Sequence, residues 1–450
     1  MHPRFAAVTK AYDVRGRSPE QLDAELVQAF GQAFADEVEI SDGRGAAIIG
    51  HDMRETSPEL ARALSDGIRA RGGDVVLIGL ASTDMLYAAS GRLDLPGVMI
   101  TASHNPAGYN GLKVCRAGAR PIGLDTGLKT IAEAAGELLG QDLPELRGTV
   151  TEREFVAEYA QHLLDLAPVE GRRLTVVVDA GNGMAGHTAD AVLSRLDLEV
   201  VPMYFELDGT FPNHEANPLD SSTLVDLQAE VRSRGADLGL AFDGDADRCF
   251  VIDETGEPVA PSAITALIAS RYLAEQPGAT ILHNVICSKS VPEIVTENGG
   301  TPVRTPVGHS LIKAEMARTD AVFGGEHSGH FYFRDFYLAD SGMLAALHVM
   351  AALAETDGTV SELMAQYGRY PASGEINSTV DDAAAVIERL VETYSEHDQD
   401  RLDGLTVTAD TWWFNVRASN TEPLLRLNVE GDDVPTMERV RDEVLGLIRA

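Results

Sequence analysis

The sequence predicts an α/β protein made of repeated strand-and-helix units and closed by a smaller, different tail. Three observations predict it. Short apolar runs rich in β-branched residues alternate with helical patterns along most of the chain. Polar, mostly glycine-bearing segments come directly after several of these runs, which is where open α/β sheets bind ligands. The chain has 450 residues, too many for one core, and so divides into several domains.

The strands are taken in order. Residues 46–49, 75–78 and 98–100 are apolar runs separated by helical patterns and predict a parallel-rich sheet. A second unit opens with a strand at 174–178 and runs through strands at 238–242 and 249–252. A third begins near residue 257 and contains a strand at 279–285. From about residue 371 the pattern changes. Residues 383–394 read as a helix, 412–416 and 424–429 as strands, and Met437, Val440, Val444, Leu447 and Ile448 as the apolar face of a closing helix. Trp412 and Trp413 are expected to pack and not to form a sugar platform.

The formal net charge of −34 argues against nucleic acid and anionic membranes as partners. No apolar stretch reaches membrane-spanning length and no signal-peptide pattern is present, so the expected location is the cytoplasm. Cys115, Cys249 and Cys287 make no disulfide framework. Cys115 and Cys249, near polar loops, are expected to pack as small apolar groups.

Four motifs carry chemistry. TASHNP at 101–106 puts Ser103 on a loop after a buried strand, beside His104 and Asn105, where it can carry a phosphate; a lone loop serine is otherwise a turn or cap residue. DGDADR at 243–248 is a tight loop between two strands. Asp243, Asp245 and Asp247 at alternating positions of an extended loop would share one side, and such an all-oxygen set suits Mg²⁺. A calcium loop of the EF-hand type is the rival, but Arg248 stands where that loop needs glycine. A solvated acidic turn is the plainer alternative. GGEHSGH at 324–330 offers Glu326, Ser328 and His330 to sugar hydroxyls. RASNTEP at 417–423 offers Arg417, Ser419, Asn420 and Thr421 to a phosphate, with Arg426 as a second cation.

Together, in this order and at this spacing, the four motifs resemble those of the α-D-phosphohexomutases, nearest the phosphomannomutase/phosphoglucomutase branch. AYDVRG at 11–16, GHDMR at 50–54, DAGNGMAG at 179–186, DGTFPNHEANP at 208–218 and GHSLIK at 308–313 extend the likeness over nearly the whole chain. The resemblance implies three similar mixed-sheet α/β domains plus a smaller α+β C-terminal domain around a central active-site cleft. Soft boundaries fall at 1–150 (phosphoserine loop), 151–255 (metal loop), 256–370 (sugar loop) and 371–450 (phosphate loop).

It further implies reversible phosphoryl transfer between hexose 1-phosphate and hexose 6-phosphate through phosphorylated Ser103. Mg²⁺ would lie on Ser103, Asp243, Asp245 and Asp247, and a hexose 1,6-bisphosphate would be intermediate and activator. Lys113, Arg15, His104 and His330 are the proton-transfer and catalytic candidates. Arg248 would support the phosphoserine or the metal loop. Glu326 and Ser328 would hold the 3- and 4-hydroxyls, which glucose and mannose share, so both sugars are expected substrates. Tyr12, His309 and Lys313 are further substrate contacts. Ile286 stands where related enzymes carry a phosphate-binding lysine, and Lys289 is the nearby replacement to examine. A glucosamine-phosphate mutase, an aspartyl phosphatase using the DGDAD loop and a non-catalytic sugar-phosphate sensor remain as competing readings. The expected state is a monomer or small homo-oligomer.

Overall fold

The computed structural model describes residues 1–418 and 424–450, without the side chains of His309 and Ser310. The chain divides into two compact bodies: Met1–Val259 with Ser328–Ser361, and Ala260–His327 with Glu362–Ala450.

The first body holds two mixed sheets. In one, the strands run in the order Val14–Arg17, Tyr109–Arg116, Gly97–Ile100, Ala46–His51, Asp74–Leu80, Val150–Glu152, with the short Arg120–Pro121 pairing off Tyr109–Arg116. The pairings from Gly97–Ile100 through Val150–Glu152 are parallel, as the apolar runs predicted, while Tyr109–Arg116 is antiparallel to both its neighbours on the path. Helices Ala24–Glu37 and Ser57–Ala70 cross closely because glycine lies at the crossing: a Cβ on Gly67 would sit 2.1 Å from the Gln28 carbonyl oxygen. Phe30, Phe34, Leu64 and Ile68 fill the core around that crossing.

The other sheet of this body has the order Cys249–Ile252, Leu238–Phe242, Leu174–Asp179, Leu198–Met203; its first pairing is antiparallel and the other two are parallel. Helix Gly342–Ala354 is buried along its whole length, in keeping with its apolar sequence on every face.

In the second body, Thr280–Asn284 lies between parallel partners Thr301–Thr305 and Phe323–Gly325. The C-terminal part is a five-stranded sheet, antiparallel at each pairing, with helices Ala383–Thr393 and Val434–Ile448. Met437, Val440, Val444 and Ile448 are buried as expected, with Leu447 packed at the margin. Trp412 packs into that core, and Trp413 is also buried, its indole N–H on Glu430 at 2.8 Å. No helix among the described residues is long and apolar enough to cross a membrane.

Two strand ends set the next step. Gly97–Ile100 runs out toward Ser103, and Leu238–Phe242 runs directly into Asp243. Both strands are wholly buried, so they carry these loops on rigid supports.

Candidate active site

Ser103 is buried and holds a left-handed backbone, φ 50°. That region is uncommon for a residue with a side chain, and such strain clusters at functional sites. The conformation is fastened from two sides. The Ser103 N–H donates to Thr101 Oγ1 at 3.0 Å. The buried Arg54 guanidinium donates to the carbonyls of Ser103 (2.9 Å), Asn105 (2.6 Å), Pro106 (2.8 Å) and Tyr109 (3.0 Å), and pairs with Asp52 at 3.2 Å. Arg54 was not among the expected site residues. GHDMR was noted only as a matching segment, because nothing local in it says that its arginine folds the serine loop.

The DGDADR loop is a tight turn between two strands, as expected, though its backbone is not extended. The Ala246 N–H returns to the Asp243 carbonyl at 3.0 Å, and Ala246 has φ 60°. The three carboxylates converge all the same, one oxygen of each lying within 4.8 Å of the others. Gly244 permits the approach to the serine: a Cβ there would lie 2.5 Å from the Ser103 carbonyl oxygen.

Ser103 Oγ donates to Asp243 Oδ2 at 2.7 Å and accepts from Arg248 Nη2 at 3.2 Å. Arg248 also pairs with Asp243 at 2.8 Å. Lys113, far from being a surface lysine, is buried and bonds Oδ2 of both Asp245 (2.7 Å) and Asp247 (2.5 Å). Oδ1 of both these aspartates is buried and has no hydrogen-bond partner among the described residues. The three carboxylates form an all-oxygen set that fits a hard divalent cation.

The titration behaviour follows from this balance. Burial pushes Asp243 up, against the pull of Arg248, to about 7. Burial acts the same way on Asp245 and Asp247, but Lys113 more than reverses it and both are held below the usual range. For Lys113, burial alone would lower the ammonium, yet Asp245, Asp247 and Asp243 hold it above the lysine range. Lys113 is therefore a fixed cation here.

His104 has the opposite character. Burial, then the charges of Arg248 and Arg15, hold its imidazole well below 6.5, so it is neutral. Its Nδ1 faces Ser103 Oγ at 3.3 Å and also meets Arg248 Nη2; accepting there leaves the proton on Nε2. Arg15 bonds Asn105 at 2.6 Å and Asp13 at 2.5 Å, next to the serine loop. His330 has Nδ1 on Ser328 Oγ at 2.9 Å and Nε2 3.6 Å from Asp247 Oδ1, so it too joins this cluster. Tyr12 is half-buried, one residue before Asp13.

The GGEHSGH motif divides between the bodies, Ser328 and His330 belonging to the first and Glu326 to the second. Within the second, buried Glu326 accepts from the Gly308 N–H at 3.0 Å, which ties it to the GHSLIK segment, where Lys313 is buried as well. Arg417 and Arg426 are cross-strand partners, and Glu375 joins them, at 2.9 Å from Arg417 and 3.4 Å from Arg426. Sequence reasoning missed Glu375, which immediately precedes strand Ile376–Thr379 and has no motif around it. Ser419, Asn420 and Thr421, like the His309 side chain, lie outside the described residues. Ile286 is buried. The Lys289 ammonium is held on Asp432 at 2.5 Å, above the Tyr370 ring at 3.9 Å.

The fold is that of the phosphohexomutases, with mixed α/β sheets and a distinct C-terminal domain. Four family models match in chain order: phosphoglucomutase/phosphomannomutase alpha/beta/alpha domain I over residues 6–138, domain II over 153–256, domain III over 260–370 and the C-terminal domain over 375–447. A phosphohexose mutase of Xanthomonas campestris pv. campestris is 40% identical over 453 residues, covering 98% of each chain. A phosphomannomutase of Salmonella montevideo is 40% identical over 456 residues, again 98% of each. The solved structure of a phosphoglucomutase/phosphomannomutase family protein from Burkholderia thailandensis matches with a TM-score of 0.90 at 31% identity, covering 100% of this chain and 98% of that one. The chain belongs to the phosphoglucomutase/phosphomannomutase family.

Proposed function

We propose that this member of the family is a Mg²⁺-dependent phosphomannomutase/phosphoglucomutase, an isomerase that moves a phosphoryl group between O1 and O6 of a hexose through phosphorylated Ser103. The observation that carries the reading is the Ser103 hydroxyl held between the Asp243 carboxylate and the Arg248 guanidinium, beside two aspartates that each keep a buried oxygen with no hydrogen bond among the described residues. Family membership supports the reaction class.

Asp243, Asp245, Asp247 and Ser103 would hold the Mg²⁺, which when bound supplies positive charge against the phosphoryl oxygens. Arg248, already on Ser103 Oγ, offers a second fixed cation to the same phosphate. The 6-hydroxyl of a hexose 1-phosphate attacks the phosphorus of phosphorylated Ser103, and the P–Oγ bond breaks as the new P–O6 bond forms. The hydroxyl proton needs a base, and Oγ needs a proton or a cation as it leaves. Lys113, a fixed cation on Asp245 and Asp247, together with His104, whose Nδ1 faces Ser103 Oγ, and His330, on Ser328 Oγ, are the proposed proton-transfer groups. The resulting hexose 1,6-bisphosphate, which also serves as activator, then returns its O1 phosphate to Oγ and leaves as hexose 6-phosphate.

Each end of the sugar takes both roles in turn, so one set of groups must serve both orientations. Glu326 and Ser328 are proposed for the 3- and 4-hydroxyls. Arg417 and Arg426, with Ser419, Asn420 and Thr421, are proposed for the phosphate that is not reacting. Tyr12, His309, Lys313 and Arg15 are proposed as further contacts. A cytoplasmic setting is part of the reading, supported by three buried cysteines that make no disulfide.

Phosphorus NMR tests it. With Mg²⁺ and a trace of the matching 1,6-bisphosphate, both glucose 1-phosphate and mannose 1-phosphate should convert to their 6-phosphates, and Ser103→Ala should abolish both conversions. Inorganic phosphate as the main product, or turnover surviving in Ser103→Ala, would move the chemistry to an aspartyl nucleophile. No turnover of either sugar would leave a glucosamine-phosphate mutase or a sensor.

A further inference from the structure

One contact to the metal loop comes from outside every motif considered so far. Thr83 is the first residue of helix Thr83–Leu93, and it grips Asp245 twice. Its Oγ1 donates to Asp245 Oδ2 at 2.5 Å, and its backbone N–H donates to the Asp245 carbonyl at 3.0 Å. Lys113 takes the same Oδ2 at 2.7 Å, while Oδ1 stays buried with no hydrogen-bond partner among the described residues. The two oxygens of one carboxylate are thus treated differently: one is saturated by protein donors and the other is left to a ligand.

The helix end that carries Thr83 is itself fixed. Ser82 caps it by accepting from the Met85 N–H at 3.3 Å. Asp84 accepts from Tyr159 at 2.7 Å and from Ser341 at 2.6 Å. Thr83 is therefore a rigid donor and does not follow wherever the DGDADR turn moves.

We propose that Thr83 is a positioning residue for the divalent-cation site, pinning Asp245 so that it presents Oδ1 alone. Thr83 touches neither substrate nor cation; it acts through Asp245, in the way that groups behind a metal ligand orient it. The inference rests on the metal reading of the aspartate cluster given above.

The test is titration of the purified protein with Mn²⁺, free ion being followed by electron paramagnetic resonance, for wild type, Thr83→Val, Thr83→Ala and Thr83→Ser. Valine keeps the shape and removes the hydroxyl; serine restores it. All three keep the backbone N–H, so the side chain alone is read out. The expected result is a roughly 10- to 100-fold weaker Mn²⁺ affinity in the valine and alanine variants, with affinity close to wild type in Thr83→Ser. The kcat of the weakened variants should recover as Mg²⁺ is raised. Thermal unfolding in the absence of metal accompanies each titration. A lowered melting temperature with unchanged Mn²⁺ affinity would assign Thr83 to packing and overturn the proposal, as would a serine variant as weak as the valine one. Failure of the wild-type protein to bind Mn²⁺ would instead overturn the metal reading, and the proposal with it.

Discussion

Lys113 and the three aspartates form a charge arrangement with two opposed demands. The ammonium neutralises Asp245 and Asp247 where burial would otherwise raise both, and the same ammonium repels an incoming cation. Removing it separates these roles. Lys113→Ala should lower kcat by about 10²- to 10⁴-fold, the usual scale for a lost proton donor, while Mn²⁺ binding stays as tight or tightens. Parallel loss of metal affinity would show that Lys113 shapes the site and does not serve the proton step. Arg417 offers a second residue-scale test. It shares Glu375 with Arg426, so two guanidinium groups are held side by side around one carboxylate. Loss of a charged hydrogen bond costs about 1.5–3 kcal/mol, so Arg417→Ala should raise KM for hexose 1-phosphate by roughly 10- to 100-fold. A KM unchanged in that variant would remove Arg417 from the phosphate site.

At the scale of elements, the site depends on where helices and strands end. Buried strands deliver Ser103 and Asp243, and helix Thr83–Leu93 delivers Thr83 to Asp245. Behind these strands, Ala24–Glu37 and Ser57–Ala70 approach so closely that backbone fills the space a side chain would take. Gly67→Ala forces a Cβ to 2.1 Å from the Gln28 oxygen, and the helices must separate to admit it. Overpacking of this kind costs about 1–3 kcal/mol, which urea denaturation should register as a lower midpoint. The first-order expectation is lost stability with kcat retained, because the crossing contributes no group to the serine or metal loops.

At the scale of the whole molecule, Asp84 is the group that binds distant parts of the first body together. Hydroxyls from Ser82, Tyr159 and Ser341 all donate to it, joining helices Thr83–Leu93, Val156–Leu166 and Gly342–Ala354. Burial raises its pKa from the ordinary 3.8 to about 6, against those three hydrogen bonds. Below pH 3.8 the folded and unfolded chains both hold the proton, whereas between there and about 6 only the folded chain does. The stabilisation is therefore complete at the acid end and is lost as pH rises through about 6, a change of about 3 kcal/mol. The stability of wild type relative to Asp84→Asn should fall by that amount between about pH 4 and pH 6.5 and stay flat above it. A constant difference across the range would mean that Asp84 is ionised throughout. A flat profile would leave its three donors as the only reason for its burial.

Much of this was written in the order of residues. Alternation of apolar runs with polar, glycine-bearing loops placed the strands within a few residues, because a buried strand needs continuous apolar sequence and a ligand loop must follow it. The four motifs singled out Ser103, the three aspartates, Glu326 and Arg417 as candidates, since each motif is contiguous and its chemistry is local. Arg54, Thr83 and Glu375 were not legible, because each acts on a partner far away in the chain: Thr83 meets Asp245 across 162 positions and Arg54 reaches Ser103 across 49. The sequence also read the metal loop as tight, and hydrogen bonding closes it into a turn around Ala246. By itself the sequence determined which groups exist for the chemistry and on which kind of element they ride. Only the tertiary structure decided which oxygen of Asp245 and of Asp247 is taken by Lys113, because burial and partner geometry are set by residues that come together only when the chain folds.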